Sequence, residues 1–180
     1  WLPADVPKVP LEVAATGPKV IEMAARHADR IRFSVGAVPE RIDWAIALAR
    51  AARRVAGLPE DGLSFGAQLI VYCHADAEEA LEQASRSAAP LARFQVMQAG
   101  TAAGPTSAGD RANFDMIRQS YDMHTHGVHD AKNRLLGMTL DRDFVERFTI
   151  SGTPDQCTAR LLDLCRRGLS FFTATGSASA

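Results

Sequence analysis

A glycine and a proline stand back to back in the stretch VAATGPKVIEMAARHADRIRFSVG, residues 13–36, between a short apolar run and a helical pattern. Gly17 has no Cβ, so the backbone there can lie close to a ligand. Pro18 fits the first helical position, and the amides of Lys19 and Val20 then point outward at the positive end of the helix. Amides in this arrangement bind phosphate groups. The same pair also makes a good helix start without a ligand, and the spacing alone leaves both interpretations open.

Three histidines, His124, His126 and His129, fall within the ten residues YDMHTHGVHD, and three imidazoles this close can bind zinc. No Asp, Glu or Cys accompanies them at a known ligand spacing, and Gly127 interrupts the helix that would hold them together. We therefore expect no metal site, and a cluster that faces solvent or substrate. Because histidine titrates near neutral pH, His126 is a candidate proton donor, and His74, just after a predicted strand, is a second candidate.

The elements that must position these residues alternate between strand and helix. The strands predicted from apolar runs are Pro10–Ala15, Ile31–Val35, Leu63–Cys73 and Leu169–Thr175. The helices between them are predicted to begin near Pro18, Pro39, Asp76 and Pro154. Four strands joined by helices predict a parallel α/β sheet, which is either an open doubly wound sheet or half of an eight-stranded barrel.

The segment before the last helix departs from this alternation. Residues 100–110 are small, polar and Gly-rich, which is typical of a mobile loop, and 111–147 are irregularly helical. We interpret 100–147 as a helical insertion, or lid, within a single domain that comprises 1–180. Residues 176–180 are predicted to form a flexible tail.

The sequence also indicates where one helix begins and where another ends or bends. Thr153, Pro154 and Gln156 have the spacing of a capping box with proline at the first helical position. Pro90 predicts an end or a kink in the helix that begins near Asp76.

Composition argues against several classes of partner. The 180 residues are 47% hydrophobic and carry a net charge of −1, which favours a globular protein and argues against nucleic acid or an anionic membrane surface as a partner. No apolar run approaches the roughly 20 residues of a membrane-spanning helix. The three cysteines lack metal-type spacing, so reduced thiols and a cytoplasmic location are expected. The chain does not open with Met, and we expect it to be part of something longer.

Three segments together resemble the luciferase-like monooxygenase superfamily. In PLEVAATGPKVIEMAARHADRIRFSVG the likeness rests on a strand, a Gly-Pro-Lys turn, a helix and a strand that ends in glycine. The other two segments are LIVYCHADAEEAL and FTISGTPDQCTARLLDLCRRGLSFF. The likeness covers about 7–99 and 146–176. The superfamily fold is a TIM barrel, (β/α)8, and the resemblance places this chain on its last four strands plus a helical insertion.

The resemblance also implies a cofactor and a site. The cofactor would be a deazaflavin, coenzyme F-420, or reduced FMN, and the Ala-Ala-x-Gly-Pro-Lys turn favours F-420. Gly36, at the end of the second strand, would admit the same ligand as Gly17 from the adjacent loop. The residues expected to bind the cofactor are Thr16, Gly17, Pro18, Lys19, Val35 and Gly36.

The implied function is hydride transfer or oxygenation of a small organic molecule by a flavin- or deazaflavin-dependent oxidoreductase. The alternative is a half-barrel without catalytic activity that serves as a binding or assembly module. Half a barrel leaves two strand edges unpaired. We therefore expect either a homo-oligomer or a missing N-terminal half of the same barrel, which would also hold most of the catalytic residues.

Overall fold

The computed structural model describes residues 6–96, 102–125 and 131–178. Its strands are β1 (Glu12–Ala15), β2 (Arg30–Phe33), β3 (Ser64–Cys73), β4 (Ile150–Gly152) and β5 (Phe171–Ala178). Its helices are α1 (Pro18–His27), α2 (Pro39–Val55), α3 (Ala77–Ala92), α4 (Ala108–Ser120), α5 (Ala131–Met138), α6 (Arg142–Phe148) and α7 (Pro154–Arg166). A 3₁₀ turn, Arg93–Gln95, follows α3 directly. Within these residues, no helix has both the length and the apolar character that crossing a bilayer requires.

β3 is the centre of one parallel sheet. Its first half pairs with β2, which pairs with β1, and residues 66–73 pair with β5 on the opposite edge. β4 pairs with residues 71–73, on the side of β2 and beyond the end of that strand. Because the strands are parallel, their carboxyl ends meet at one edge of the sheet, and the ligand sites of such sheets form at that edge.

Helices cover both faces of the sheet, and β3 divides the buried side chains between them. Leu69 packs in a cluster with α1, α2 and α7, whereas its neighbour Ile70 packs in a cluster with α3, α4 and α6. Successive side chains of a strand point to opposite faces, so the nearly continuous apolar run of β3 serves two layers. β3 is therefore a strand that is covered on both faces.

The structure differs from the sequence prediction in one additional strand and in several element boundaries. β4 is a fifth strand, and it forms because β3 extends past β2 and leaves an edge that Ile150–Gly152 can pair with. The predicted tail is wrong at 176–178, since these residues continue β5 against β3. α4 begins at Ala108, inside the predicted loop, because the Ser107 side chain accepts a hydrogen bond from the Asp110 amide at 3.0 Å and caps the helix.

The helix signals of the sequence are mostly confirmed. Thr153 and Gln156 form the predicted capping box, with Pro154 in the first turn. α3 runs through Pro90 and ends at Ala92, so the proline lies in the last turn. The insertion predicted at 100–147 contains α4, α5 and most of α6, and its role as a lid stays a prediction.

An exposed ion-pair cluster joins the start of α3 to α6. Arg142 donates to both carboxylate oxygens of Glu78, at 2.7 and 2.6 Å, and to Glu146 at 2.7 Å. The hydrogen bonds from Arg142 lower the pKa of Glu78 from its ordinary value of 4.5. A carboxyl group whose pKa is lowered by folding stabilises the fold above its unfolded-state pKa, and this stabilisation is lost as the pH falls through the folded-state pKa.

We therefore expect Arg142→Gln to weaken the acid dependence of stability. As the pH falls below the ordinary glutamate pKa, the free energy of unfolding should decrease more steeply in the wild type than in the variant. The reason is that the variant has no Arg142 contact left to lose. Urea midpoints measured from pH 7 to pH 3 test this, with Arg111→Gln, at an exposed position of α4, as the control. Parallel curves for the wild type and Arg142→Gln would contradict the prediction.

Candidate functional site

A cavity of about 610 Å³ opens at the carboxyl edge of the sheet, between the end of β1 and the start of α1. Residues 16–20 form one side, and Ser34, just after β2, and Gln68, inside the neighbouring strand β3, form the floor. Phe94, Gln95 and Ala103 close the cavity from outside the sheet, and we call these three residues the outer wall.

The start of α1 faces this cavity without a side-chain cap. Gly17 is the N-cap in extended conformation, Pro18 is the first helical residue, and the first turn contains no acidic side chain. The first intrahelical bond runs from the Ile21 amide to the Gly17 carbonyl at 3.0 Å, so the amides of Lys19 and Val20 have no helical acceptor. A Cβ on Gly17 would meet no atom within 4 Å. The site suits an oxyanion that takes both amides.

Other helices of the fold begin differently. Asp76, Ser107 and Thr153 each accept a first-turn amide at the starts of α3, α4 and α7. α2 has no side-chain cap, but Glu40 lies in its first turn and would repel an anion. The start of α1 therefore combines an open cavity with amides that no side chain takes.

Four of the predicted cofactor residues lie at this cavity, and two do not. Thr16, Gly17, Pro18 and Lys19 line it, as expected for neighbours at one helix start. Val35 is fully buried, and its carbonyl accepts a hydrogen bond from Arg41 at 3.2 Å, away from the lining.

Gly36 does not line the cavity either, and its backbone packs against the ring of Phe148. It has φ +79°, and a Cβ there would come within 2.5 Å of two ring atoms of Phe148. The neighbouring amide of Ala37 donates to the Phe148 carbonyl at 2.8 Å, which holds the end of α6 against this turn. Glycine at position 36 makes room for an aromatic ring, and the approach of a ligand to this residue stays a prediction.

Sequence reasoning missed the polar floor and the outer wall. The hydroxyl of Ser34 lies 3.4 Å from Oε1 of Gln68, and the side-chain amide of Gln95 donates to the carbonyl of Ser34. The one available signal was Gln68, a polar residue inside the apolar run of β3, which indicates a face that is not packed by hydrophobic side chains. Gln95 is distant in sequence, and only the folded chain brings it to Ser34.

The histidine candidates lie away from this cavity or outside the described residues. Nδ1 of His74 accepts the Asp76 amide at 3.0 Å, so this ring closes the turn before α3. His124 is exposed, and its amide donates to Asp122. His126 and His129 lie outside the described residues. Within the described ranges, no group of three or more His, Cys, Asp or Glu residues is placed to hold a metal ion.

A second cavity, of about 570 Å³, adjoins the first on the same face of the sheet. The two share Gln68 and Phe94, and the second is lined further by Ile70, Tyr72 and Thr175. The Tyr72 hydroxyl lies 3.0 Å from that of Ser87. One elongated ligand, or two ligands in contact, could therefore occupy this face.

The architecture is thus part of a parallel β/α barrel with an anion-suited cavity at its carboxyl edge. A sequence model of the luciferase-like monooxygenase family matches residues 1–170, and the chain belongs to that family. The resemblance seen in the Gly-Pro-Lys turn and the later segments is confirmed. No curated protein matches the chain significantly.

Solved structures with the same fold are similar at low sequence identity. A coenzyme F-420-dependent tetrahydromethanopterin reductase from Methanopyrus kandleri has a TM-score of 0.67 and 18% identity, over 96% of this chain and 46% of that chain. An F-420-dependent secondary alcohol dehydrogenase, in complex with an F-420–acetone adduct, has a TM-score of 0.68 and 14% identity, over 97% and 45%. A riboflavin lyase with modified FMN has a TM-score of 0.53 and 16% identity, over 92% and 38%.

These likenesses establish the fold, a partial luciferase-like TIM barrel. The chain spans less than half the length of each of these three proteins. The predicted cofactors, F-420 or FMN, match the cofactors of these neighbours.

Proposed function

We propose that this chain is part of a luciferase-like oxidoreductase that binds coenzyme F-420 or FMN, with the cofactor phosphate at the start of α1. The observation that carries the proposal is the pair of amides of Lys19 and Val20, which open on the 610 Å³ cavity and have no cap. Gly17 leaves room for the phosphate oxygens, since a Cβ there would meet nothing. Thr16 and Lys19 supply a hydroxyl and an ammonium group at the same rim.

The cofactor would supply hydride transfer or oxygen activation, and the residues of this chain would bind and orient it. Ser34 and Gln68 form a polar floor at the sheet, and Phe94 covers the cavity with an aromatic ring. The adjoining cavity is the proposed place of a small organic substrate, because it shares Gln68 and Phe94 with the first. F-420 is favoured over FMN because the two F-420 proteins have TM-scores of 0.67 and 0.68, against 0.53 for the FMN protein.

The main test compares FMN with riboflavin, which differ by the phosphate alone. FMN should bind about tenfold or more tightly than riboflavin, since hydrogen bonds from amides to a charged group contribute about 1.5–3 kcal/mol each. F-420 should likewise bind more tightly than its deazaflavin precursor, which lacks the phosphate and the groups attached through it. Quenching of flavin or deazaflavin fluorescence measures each Kd. Equal affinity for FMN and riboflavin, together with equal affinity for the deazaflavin pair, would contradict a phosphate site at α1.

A second candidate function is an assembly module, and the strand edges favour it. Among the described residues, β1 pairs only with β2, and β5 pairs only with β3. The open edge of β5 carries FFTATGSA, which contains no charged residue to discourage pairing. Further strands, from another copy or from an N-terminal half, would pair with these edges. Sedimentation of the 19.4 kDa chain tests this, because a stable monomer would contradict pairing between copies.

The cytoplasmic location remains part of the proposal. Cys73, Cys157 and Cys165 are free thiols, as expected in a reducing compartment. Burial raises the pKa of Cys157 to about 11, so this thiol stays protonated at neutral pH.

A further inference from the structure

Arg41 is a fully buried cation in the first turn of α2. It is 1% exposed, and burial lowers the pKa of Arg41 to about 10, so the guanidinium is still charged at neutral pH. Burying a charge is costly unless hydrogen bonds satisfy it. The acceptors of its hydrogen bonds therefore indicate which parts of the fold Arg41 holds together.

The guanidinium joins three separate parts of the chain. Nε donates to the Val35 carbonyl at 3.2 Å, after β2, and Nη2 donates to Oε1 of Gln95 at 2.5 Å. Nη1 donates to the Pro105 carbonyl at 3.0 Å and to the Thr106 hydroxyl at 3.2 Å. The Phe114 ring lies 5.4 Å from the guanidinium carbon.

Two of these contacts lead directly to the outer wall of the first cavity. Gln95 belongs to the wall, and its amide group continues the network to the Ser34 carbonyl at the cavity floor. Pro105 and Thr106 follow closely after Ala103, which is also part of the wall. One side chain thus fastens both segments of the wall to the end of β2.

We propose that Arg41 is the positioning residue for the outer wall, and that it sets cofactor affinity by holding Phe94, Gln95 and Ala103 over the cavity. The inference rests on the proposed function, because it assumes that the cavity binds the cofactor. Arg41 acts by holding the outer wall in place and not by touching the cofactor, since it does not line the cavity. A planar fork of five N–H groups can satisfy acceptors in several directions, whereas a lysine ammonium reaches fewer of them at once.

Arg53 provides a matched control on the same helix. It is also buried, at 7% exposed, and it also donates to backbone carbonyls, Pro59 at 2.5 Å and Ala25 at 2.9 Å. It lies about 18 Å further along α2 by the helical rise, at the end distant from the cavity. Arg53→Met and Arg41→Met therefore remove the same group from similar surroundings, and only Arg41 touches the outer wall.

The experiment measures Kd for FMN, riboflavin and F-420 with the full-length polypeptide, at a temperature where circular dichroism shows each variant folded. Arg41→Met should raise all three Kd values about tenfold or more, and the ratio of the FMN and riboflavin values should stay unchanged, because the α1 amides are intact. Arg53→Met should leave all three within about twofold. Unchanged Kd values in Arg41→Met, or equal losses in both variants, would overturn the proposal.

Hydrogen exchange gives a readout that does not need the cofactor. Amides in 93–96 and 102–107 should exchange faster in Arg41→Met than in the wild type, and should be unaffected in Arg53→Met. If the wild type binds none of the ligands, the proposed function is contradicted, and exchange alone decides whether Arg41 holds the wall. Equal exchange in both variants would overturn that role. If Arg41→Met fails to fold, Arg41→Lys replaces it, with a smaller rise in Kd and in exchange expected.

Discussion

Gly17→Asp is expected to stabilise the protein and, at the same time, to destroy its affinity for a phosphate-bearing cofactor. An aspartate at the N-cap would accept the first-turn amides that no side chain of the described residues takes. The position tolerates it, because Gly17 has φ −99° and a Cβ would meet no atom within 4 Å. The free energy of unfolding should rise by roughly a few tenths of a kcal/mol, because glycine is itself a fair N-cap residue.

The same carboxylate would occupy the proposed phosphate site and repel a second anion. Placing like charges side by side costs several kcal/mol, so Kd for FMN and F-420 should rise about 100-fold or more. Riboflavin, which has no phosphate, should lose far less. Fluorescence titration and thermal melts of the same samples measure the two opposite effects.

Gly17→Asn separates the effect of the cap from that of the charge. Asparagine caps a helix about as well as aspartate but is neutral. Its variant should gain similar stability and lose less affinity for FMN than Gly17→Asp. If Gly17→Asp binds FMN as tightly as the wild type, the phosphate does not lie at α1, and the proposed function loses its main support.

The turn before α1 could be predicted from sequence because its signals are local. Gly17, Pro18 and the following periodic residues specify a strand end and a helix start within a few positions, and the capping box at Thr153 is equally local. Parallel order also followed, since a strand joined to the next strand by a helix leaves few other topologies. What sequence showed well was therefore those elements whose starts and ends carry local signals.

The walls of the cavity could not be predicted, because they depend on contacts between distant residues. The pairs Ser34–Gln95 and Arg41–Gln95 are 61 and 54 positions apart. An arginine in an amphipathic helix is normally exposed, so no local pattern marked Arg41 as buried. β4 was missed for the same reason, since a three-residue strand exists only where β3 extends beyond β2.

Gly36 shows that a local signal can be recognised in the sequence while the contacts of the residue are not. Its place at the end of a strand predicted a position where the missing Cβ matters, and in the fold Gly36 also has φ +79°. Sequence does not say what the missing Cβ would face. In the fold it faces Phe148, whose partners in the second core cluster, Phe114 and Phe144, come from α4 and α6.

Gly36→Ala should therefore be among the most destabilising small substitutions in the protein. An alanine at φ +79° costs about 1–2 kcal/mol. Its Cβ would also lie 2.5 Å from two ring atoms of Phe148, which is fully buried and has little room to move. Such overpacking costs about 1–3 kcal/mol more. Urea denaturation should show a loss of about 2–5 kcal/mol in total, the sum of these two costs.

Gly57→Ala isolates the contribution of the ring. Gly57, after α2, has φ +69°, but a Cβ there would meet nothing within 4 Å, so its alanine variant should lose only the conformational part, about 1–2 kcal/mol. The difference between the two variants measures the clash with Phe148, and Phe148→Leu combined with Gly36→Ala should recover part of it. If Gly36→Ala loses no more stability than Gly57→Ala and instead weakens FMN binding, position 36 faces the ligand, as the sequence alone had suggested.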